Sequence, residues 1–260
     1  MSFDRYRAQV FFEETIAGCA TREEFFLKAW NEIQGITLNN TNAFTLKTHL
    51  QEDAKDLYYK GCVSLSESLT GFSQKHYSWA IVKGYYATFY FLKADFALRN
   101  YAIIRCKNGK LFYIKTADGE IPINKNYTGD HKFTLGCYKE LFLTSDILLS
   151  QNIENENCYD WLMKKRERIN YQERNFYEPN CLDFLTTIDS RIEQGEMQKI
   201  IDDIINDNTP IYPFIPEYAT IAIPLKRAIL TKENFNDNGI INIVNQDQTN
   251  HIQSFSFNFI

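Results

Sequence analysis

Residues 77–100 read YSWAIVKGYYATFYFLKADFALRN, and this stretch decides the fold class of the chain. Apolar and aromatic side chains recur along it at steps of three and four residues, on more than one face, and no proline interrupts it. A helix that is apolar on several faces usually packs in the middle of other helices. The sequence therefore predicts a central helix over about 77–100.

Helical periodicity continues on both sides of this stretch. Leucines and small residues recur at steps of three or four between Leu50 and Leu69, and Thr21 followed by Glu24 is the pattern of a capping box. NNTN at 39–42 predicts a loop, and Gly195 is a candidate kink. The predicted helices cover about 3–34 in two pieces, 49–70, 77–100, 131–150, 157–172 and 180–206.

Two segments have the pattern of strands. Asn108-Gly109 is a strong two-residue turn signal within 103–121, so we expect a small β-hairpin inserted between helices. After 208, prolines predict an irregular segment, with a short helix following Pro224. The tail GIINIVNQDQTNHIQSFSFNFI, at 239–260, predicts two strands joined by a polar turn, with Phe255, Phe257 and Phe259 on one face.

Composition limits the classes of function. The chain has 260 residues, 44% of them hydrophobic and 23% charged, as in a globular protein. A net charge of −5 argues against broad nucleic-acid coating but leaves a local basic groove open. The six scattered cysteines and four distant histidines predict neither a metal site nor a cofactor. With no secretory pattern and no apolar run of about 20 residues, we expect a cytoplasmic protein outside the membrane.

The stretch KKRERINYQERNFYEP, at 164–179, holds the candidate site. On a helix, Arg166 and Asn170 lie one turn apart and share the apolar face that should be buried. A buried arginine is costly unless it is paired. We expect Arg166 to meet a backbone carbonyl, a second subunit, a ligand phosphate or a carboxylate, with Asp95, Glu140 and Glu67 as the candidate acids.

Nearby residues have two interpretations each. Lys164, Lys165, Arg168 and Arg174 can grip an RNA backbone, although a charge run is more often a solvated face. Tyr171, Phe176 and Tyr177 can stack on bases or close the core. The hairpin segment CKNGKLFYIK, at 106–115, carries three lysines that can contact nucleic acid, but a plain solvent-facing ribbon is the favoured interpretation.

Three segments resemble the higher eukaryotes and prokaryotes nucleotide-binding (HEPN) superfamily. They are residues 77–100, HKFTLGCYKELF at 131–142 and MKKRERINYQERNFYEP at 163–179, and the resemblance covers about 50–205. It implies an antiparallel helical bundle, often dimeric, and in many members a metal-independent ribonuclease of toxin–antitoxin and anti-phage systems. In such nucleases an arginine, the polar residue after it and a histidine a few positions later meet at the dimer interface.

The chain departs from this motif at the histidine. Arg166 matches the motif arginine and Glu167 its polar neighbour, but Tyr171, Gln172 and Glu173 stand where the histidine belongs. Proton transfer near neutral pH suits histidine, whereas a tyrosine has a pKa near 10. His131, at the start of the preceding helix, is the nearest substitute, although a capping, solvent-facing role fits it better. The candidate catalytic set is Arg166, Asn170, Glu167, His131 and Tyr171.

The expected architecture is mainly α: a HEPN-like bundle over 49–207, an N-terminal helical extension over 1–48, and a strand-containing extension over 208–260. The resemblance implies a defence or toxin–antitoxin type protein with a degenerate motif, which recognises RNA, a nucleotide or a partner protein and forms a homodimer or a complex. An active metal-independent endoribonuclease is the alternative. A structural adaptor that binds protein through its C-terminal hairpin is the third possibility.

Overall fold

The computed structural model describes residues 5–178, 180–257 and 259, and 65% of the structure is helical. The chain folds into two compact units, one made of Met1–Leu57 with Leu92–Glu140 and the other of Tyr58–Phe91 with Leu141–Ile260. Two long helices, α4 (Asn40–Ser73) and α5 (Tyr77–Leu98), run through both. The mainly α class with a β-hairpin is confirmed, and the three-segment division of the chain stays a prediction.

The first unit opens with short capped helices. Thr21 Oγ1 accepts the Glu24 N–H at 3.2 Å, and the Glu24 carboxylate accepts the Ala20 N–H at 2.7 Å, so the predicted helix start is confirmed. The segment also breaks once more than predicted, at Lys28–Ala29. Its elements are α1 (Arg7–Phe11), a wider helical turn (Phe12–Ile16), α2 (Arg22–Leu27) and α3 (Trp30–Gln34).

The predicted loop at 39–42 is wrong, because α4 begins there. Asn39 Oδ1 accepts the N–H of Asn42 at 2.8 Å, which satisfies one of the open donors of the first helical turn. Asparagine-rich segments suit both loops and helix caps. Here the capping role extends the helix nine residues beyond the predicted start.

The inserted hairpin has the predicted turn. Strands β1 (Tyr101–Arg105) and β2 (Leu111–Lys115) pair antiparallel, and β3 (Ile123–Asn124) adds to β2. Asn108 and Gly109 have φ of 58° and 70°, the left-handed conformation that a tight hairpin turn needs. Helix α6 (Gly129–Phe142) follows and ends earlier than predicted, before a 3₁₀ turn at Ile147–Leu149.

In the second unit, α4 and α5 pack closely as an antiparallel pair. A Cβ at Gly61 would lie 2.5 Å from the ring of Phe91, and a Cβ at Gly71 would lie 3.1 Å from the Ala80 Cβ. Only glycine therefore allows this approach at position 61. Most side chains of α5 are buried, which confirms that it is a central helix.

Of the later helices of this unit, the one predicted at 157–172 is present and the one predicted at 180–206 is divided. A two-residue ribbon, β4 (Asn152–Ile153) with β5 (Glu156–Asn157), precedes α7 (Cys158–Glu167), which continues as a wider helical turn over Arg168–Gln172. The predicted helix at 180–206 is broken at Gly195, whose φ of 75° separates the two parts. Those parts are α8 (Thr186–Glu193) and α9 (Met197–Ile205).

The prediction of a short helix after Pro224 is wrong, because Pro224 lies inside the long helix α10 (Pro216–Asp237). Proline lacks the N–H that would bond to the carbonyl four residues earlier, which belongs to Thr220. Gly84 of α5 packs against this position, where a Cβ would lie 3.2 Å from the Thr220 oxygen. Tight packing against α5 therefore accommodates a proline that would destabilise an isolated helix.

The predicted strands of the tail are also wrong. Within the described part of 239–260 there is no strand, and residues 246–253 form helix α11 (Gln246–Gln253). Asn245 Oδ1 accepts the N–H of Gln248 at 2.8 Å, and Gln248 Oε1 accepts the N–H of Asn245 at 3.0 Å. This capping box starts a helix at residues predicted to form the turn between two strands.

Candidate functional site

Arg166 lies near the end of α7, and its guanidinium is enclosed by three tyrosine rings. The residue is 7% exposed. Its Cζ lies 5.3 Å from the ring centre of Tyr85, 5.4 Å from that of Tyr86 and 5.3 Å from that of Tyr171. A guanidinium at this distance is attracted to the ring faces, an interaction that strengthens when both partners are desolvated. We call these four residues the Arg166 cluster.

The wider turn after α7 brings Tyr171 over the arginine. In a regular α-helix a residue five positions on lies about 140° around the axis. Here the N–H of Glu173 bonds to the carbonyl of Arg168 at 2.9 Å. This five-residue step reduces the rotation per residue about the helix axis. Tyr171 therefore returns to the face of Arg166. Such wider turns are common at functional sites.

Arg166 has no carboxylate partner in the described part of the chain. The predicted pairing with Asp95, Glu140 or Glu67 is wrong, because each acid is occupied by a cation on its own or an adjacent element. The pairs are Asp95 with Arg99 at 2.8 Å, Glu140 with Lys125 at 2.6 Å, and Glu67 with Lys83 at 2.6 Å.

Arg166 makes few hydrogen bonds within the described protein. Of the five N–H donors of a guanidinium, one acts within the described structure, from Nη2 to the Tyr86 hydroxyl at 3.0 Å. Nε is buried and has no acceptor. A buried donor without a partner destabilises a fold by about 1–3 kcal/mol, and by more when it is charged. An oxygen of an anionic ligand is the kind of acceptor that Nε lacks.

Arg166 keeps its proton, and hence its positive charge, despite being buried. Burial alone would lower the pKa of Arg166, but the hydrogen bond to Tyr86 and the neighbouring tyrosine oxygens outweigh it, so that the pKa is raised overall. Arg166 consequently stays a cation across the physiological pH range. A buried cation without an internal counter-ion is a feature of binding sites more than of structural cores.

One of the other candidate catalytic residues, Tyr171, contacts Arg166. Asn170 is half-buried and no hydrogen bond joins it to Arg166, while half-buried Glu167 lines an adjacent groove. His131 lies on α6, in the first unit, whereas Arg166 belongs to the second. Tyr171, with 72% of its surface exposed, is the one candidate that joins the cluster.

The predicted nucleic-acid-binding side chains line or flank an open groove of about 320 Å³ beside α7. Lys164 pairs with Glu156 at 2.5 Å, Lys165 with Glu154 at 3.5 Å and Arg168 with Glu173 at 2.5 Å, while Arg174 is exposed. The three cations of the groove face the carboxylates of Glu154, Glu156 and Glu167. The lining is balanced in charge, unlike a track for a nucleic-acid backbone.

The segment that follows the wider turn is fastened to the start of α5. The Glu178 carboxylate accepts the N–H of Ser78 at 2.6 Å and its hydroxyl at 2.7 Å. Phe176 packs against Trp79 with ring centres 6.1 Å apart, and both rings are more than half exposed. Phe176 is thus neither a core ring nor isolated in solvent. Open aromatic surface lies on the second unit at the N-terminal end of α5.

Sequence reasoning missed two members of the cluster. Tyr85 and Tyr86 looked like packing residues of the central helix, and no local motif distinguishes a tyrosine that packs from one that contacts a cation. The position of Tyr86 is one signal, because it lies on the half-exposed stripe of a helix that is otherwise buried.

Comparisons of the chain with protein-family models, with curated proteins and with solved structures find no match. Among the described residues, no group of three or more His, Cys, Asp or Glu side chains is arranged to hold a metal ion. In the same part of the chain, every helix is too short or too polar to cross a membrane.

Proposed function

We propose that this chain is a HEPN-like recognition protein of a prokaryotic defence or toxin–antitoxin type system, which binds the phosphate of a nucleotide or of an RNA end at Arg166. The family and the type of system rest on the sequence resemblance alone. The binding role rests on one observation: a buried guanidinium that has neither a counter-ion nor an acceptor for Nε in the described structure.

The chemistry of the cluster fits a phosphate beside an aromatic ring. Phosphate oxygens accept from a guanidinium at two donors at once, and Nε lies on the same edge as Nη2, which Tyr86 already holds in place. The exposed ring of Tyr171 is available for a base to stack against. One arginine with one open ring suits a single nucleotide unit. The charge-balanced groove nearby gives no support for a long RNA track.

Recognition without cleavage is favoured over the nuclease alternative by the side chains around Arg166. Cleavage through a 2′-hydroxyl needs a group that accepts a proton and one that donates it. The cluster offers phenol hydroxyls, and a phenol is less suited than a histidine to accept a proton near neutral pH. Arg166 can stabilise a charged phosphate, but the cluster contains no histidine to move the proton.

The test is a binding titration in EDTA with AMP and with a short 5′-phosphorylated RNA. Arg166→Gln keeps a polar side chain but removes the cation, and Arg174→Gln removes an exposed arginine as the matched control. Charged hydrogen bonds contribute about 1.5–3 kcal/mol, so Arg166→Gln should weaken binding by roughly tenfold or more. Arg174→Gln should leave it unchanged, with circular dichroism confirming that both variants are folded.

Three results decide among the functions. Absence of saturable binding by the wild type refutes nucleotide recognition at Arg166. Equal weakening by both substitutions means that binding is general electrostatics, which also refutes it. Cleavage of the RNA in EDTA by the wild type, lost in Arg166→Gln, establishes the endoribonuclease instead. Light scattering on the same samples measures whether the chain forms the dimer that the resemblance implies.

A further inference from the structure

A second cationic pocket lies in the first unit, between the end of α2 and the turn of the hairpin. It encloses about 70 Å³. Lys28, Trp30 and Ile33 line one side, and Cys106, Lys107 and Lys110 line the other. Ile33 and Cys106 are almost fully buried and form an apolar floor, whereas Lys107 and Lys110 are exposed at the rim. We call it the hairpin pocket.

The hairpin turn holds two of the lysines in place. The N–H of Lys110 bonds to the carbonyl of Lys107 at 3.2 Å, and the N–H of Cys106 bonds to the carbonyl of Lys110 at 2.8 Å. Asn108 and Gly109 supply the left-handed conformations that close this turn. Lys107 and Lys110 are therefore the two ends of one fixed turn, and both extend from the same rim.

The three lysines of the pocket have no ion-pair partner among the described residues, although the chain carries a net charge of −5. Other lysines do pair: Lys83 and Lys125 each lie 2.6 Å from a carboxylate. The Glu32 carboxylate, two residues after Trp30, accepts the N–H of Ala29 at 2.7 Å and forms no ion pair with these lysines in the described structure.

Clustered ammonium groups repel one another, and an anion among them relieves that repulsion. The pocket thus brings together three lysines that have no ion-pair partner among the described residues, in a protein that has acidic residues in excess.

Trp30 adds an aromatic wall to this charge. Its ring packs against Phe112 of β2 with ring centres 5.7 Å apart, so the indole is held by the sheet while part of it remains at the surface. Lysines beside an exposed aromatic ring are the combination with which proteins bind a nucleotide phosphate and stack its base.

We propose that the hairpin pocket binds the phosphate group of a nucleotide through Lys28, Lys107 and Lys110, with the base against Trp30. This site is separate from the Arg166 cluster, and neither site needs the other. The phosphate belongs either to a free mononucleotide or to single-stranded RNA, which present the same group to the lysines. The phosphate lies among the lysines, and the base extends over the rim toward Trp30.

Trp30 provides a signal for this site alone. The chain has three tryptophans, so Trp79→Phe with Trp161→Phe leaves Trp30 as the sole indole of the full-length protein. Titrations with inorganic phosphate, AMP and a 5′-phosphorylated tetra-adenylate RNA then follow its fluorescence. AMP and the RNA should quench it saturably, and inorganic phosphate should compete with both.

A charge-matched pair of variants tests the lysines. Lys107→Gln with Lys110→Gln should weaken binding by about tenfold or more, because two charged contacts are lost. Lys47→Gln with Lys132→Gln removes the same charge from surface positions of the same unit, outside the pocket, and should have no effect. Tighter binding of the RNA than of AMP, with a salt slope that falls by about 0.7 for each lost contact, identifies RNA as the source of the phosphate.

Two results overturn the proposal: no saturable quenching of Trp30 by AMP or the RNA, or equal weakening by both pairs of lysine variants. Arg166→Gln in the same background separates the two sites. Quenching of Trp30 that survives this substitution supports the hairpin pocket even if nucleotide binding at Arg166 fails. Quenching that disappears with Arg166 shows that the hairpin pocket has no affinity of its own.

Discussion

Asp146→Asn should strongly destabilise the second unit, because Asp146 neutralises the most deeply buried cation of that unit. Arg227 is 1% exposed, and its Nη1 lies 2.8 Å from Asp146 Oδ2. The same carboxylate accepts the hydroxyl of Tyr159 at 2.7 Å and the N–H of Leu148 at 2.9 Å. Asparagine has nearly the same shape as aspartate, so the substitution removes charge while leaving the volume of the core almost unchanged.

The magnitude follows from burial. Removing one partner of a buried ion pair takes away the counter-ion that the other charge meets at that contact, which costs about 3–5 kcal/mol. For an m value of about 3 kcal/mol per molar, this lowers the urea midpoint by roughly 1 M or more. Trp79 and Trp161 both lie in the second unit, so their fluorescence during urea unfolding reports on the change.

Glu193→Gln is the matched control, since it breaks the exposed pair with Lys75 at 2.6 Å in the same unit. Exposed pairs contribute little because water and salt screen them, so its midpoint should stay within experimental error of the wild type. Equal shifts for the two variants would refute the view that burial sets the strength of the Asp146–Arg227 pair. An Asp146→Leu, Arg227→Met double variant should recover part of the lost stability, because it buries no lone charge.

Three further outcomes follow from the packing and the titratable groups. Gly61→Ala should lower the free energy of unfolding by about 1–3 kcal/mol, because the added methyl would lie 2.5 Å from the ring of Phe91 and this overlap costs more than the roughly 1 kcal/mol that alanine gains in helix propensity. An unchanged urea midpoint would show that the ring moves aside. Burial raises the pKa of the Cys181 thiol to about 11, so about 0.1% of it is thiolate at pH 8. The rate of its reaction with a disulfide reagent should therefore be low and rise tenfold per pH unit, and a rate that levels off near pH 8 contradicts the raised pKa. The hydrogen bond from Tyr77, together with the Lys75 ammonium, lowers the pKa of Asp189, so the stability that this carboxylate contributes is present above its unfolded pKa of about 4 and is lost as the pH falls through the lower folded pKa. Asp189→Asn should therefore flatten the acid side of the plot of stability against pH, and an unchanged plot argues that Asp189 contributes no such stability.

The candidate site was partly predictable because one of its members lies on a regular helix. Helical spacing placed Arg166 on the buried face of α7, and it is buried. The same spacing selected Asn170 as its neighbour, but the wider turn brings Tyr171 there instead. A five-residue hydrogen-bond step has no reliable local signal, because it depends on how the end of the helix packs.

Errors in the predicted fold arose where the same local sequence pattern is compatible with two structures. Asn39 and Asn245 were assigned to polar loops or turns, but each caps a helix, since a side chain that suits a turn also satisfies the first open N–H groups of a helix. Pro224 predicted a break that does not occur, because Gly84 of a distant segment packs against it. No local pattern contains that distant contact.

By itself, the sequence determined the helical class, the central position of residues 77–98, the Asn108-Gly109 turn and the burial of Arg166, because each depends on side chains within a few positions of one another. Tertiary structure alone decided what surrounds Arg166 and what faces the hairpin lysines. The tyrosines of α5 lie about 80 residues before the arginine, and Trp30 lies about 80 residues before Lys110. Charges and rings so far apart in the chain meet only when burial of the core brings their elements together, and that meeting creates both proposed binding sites.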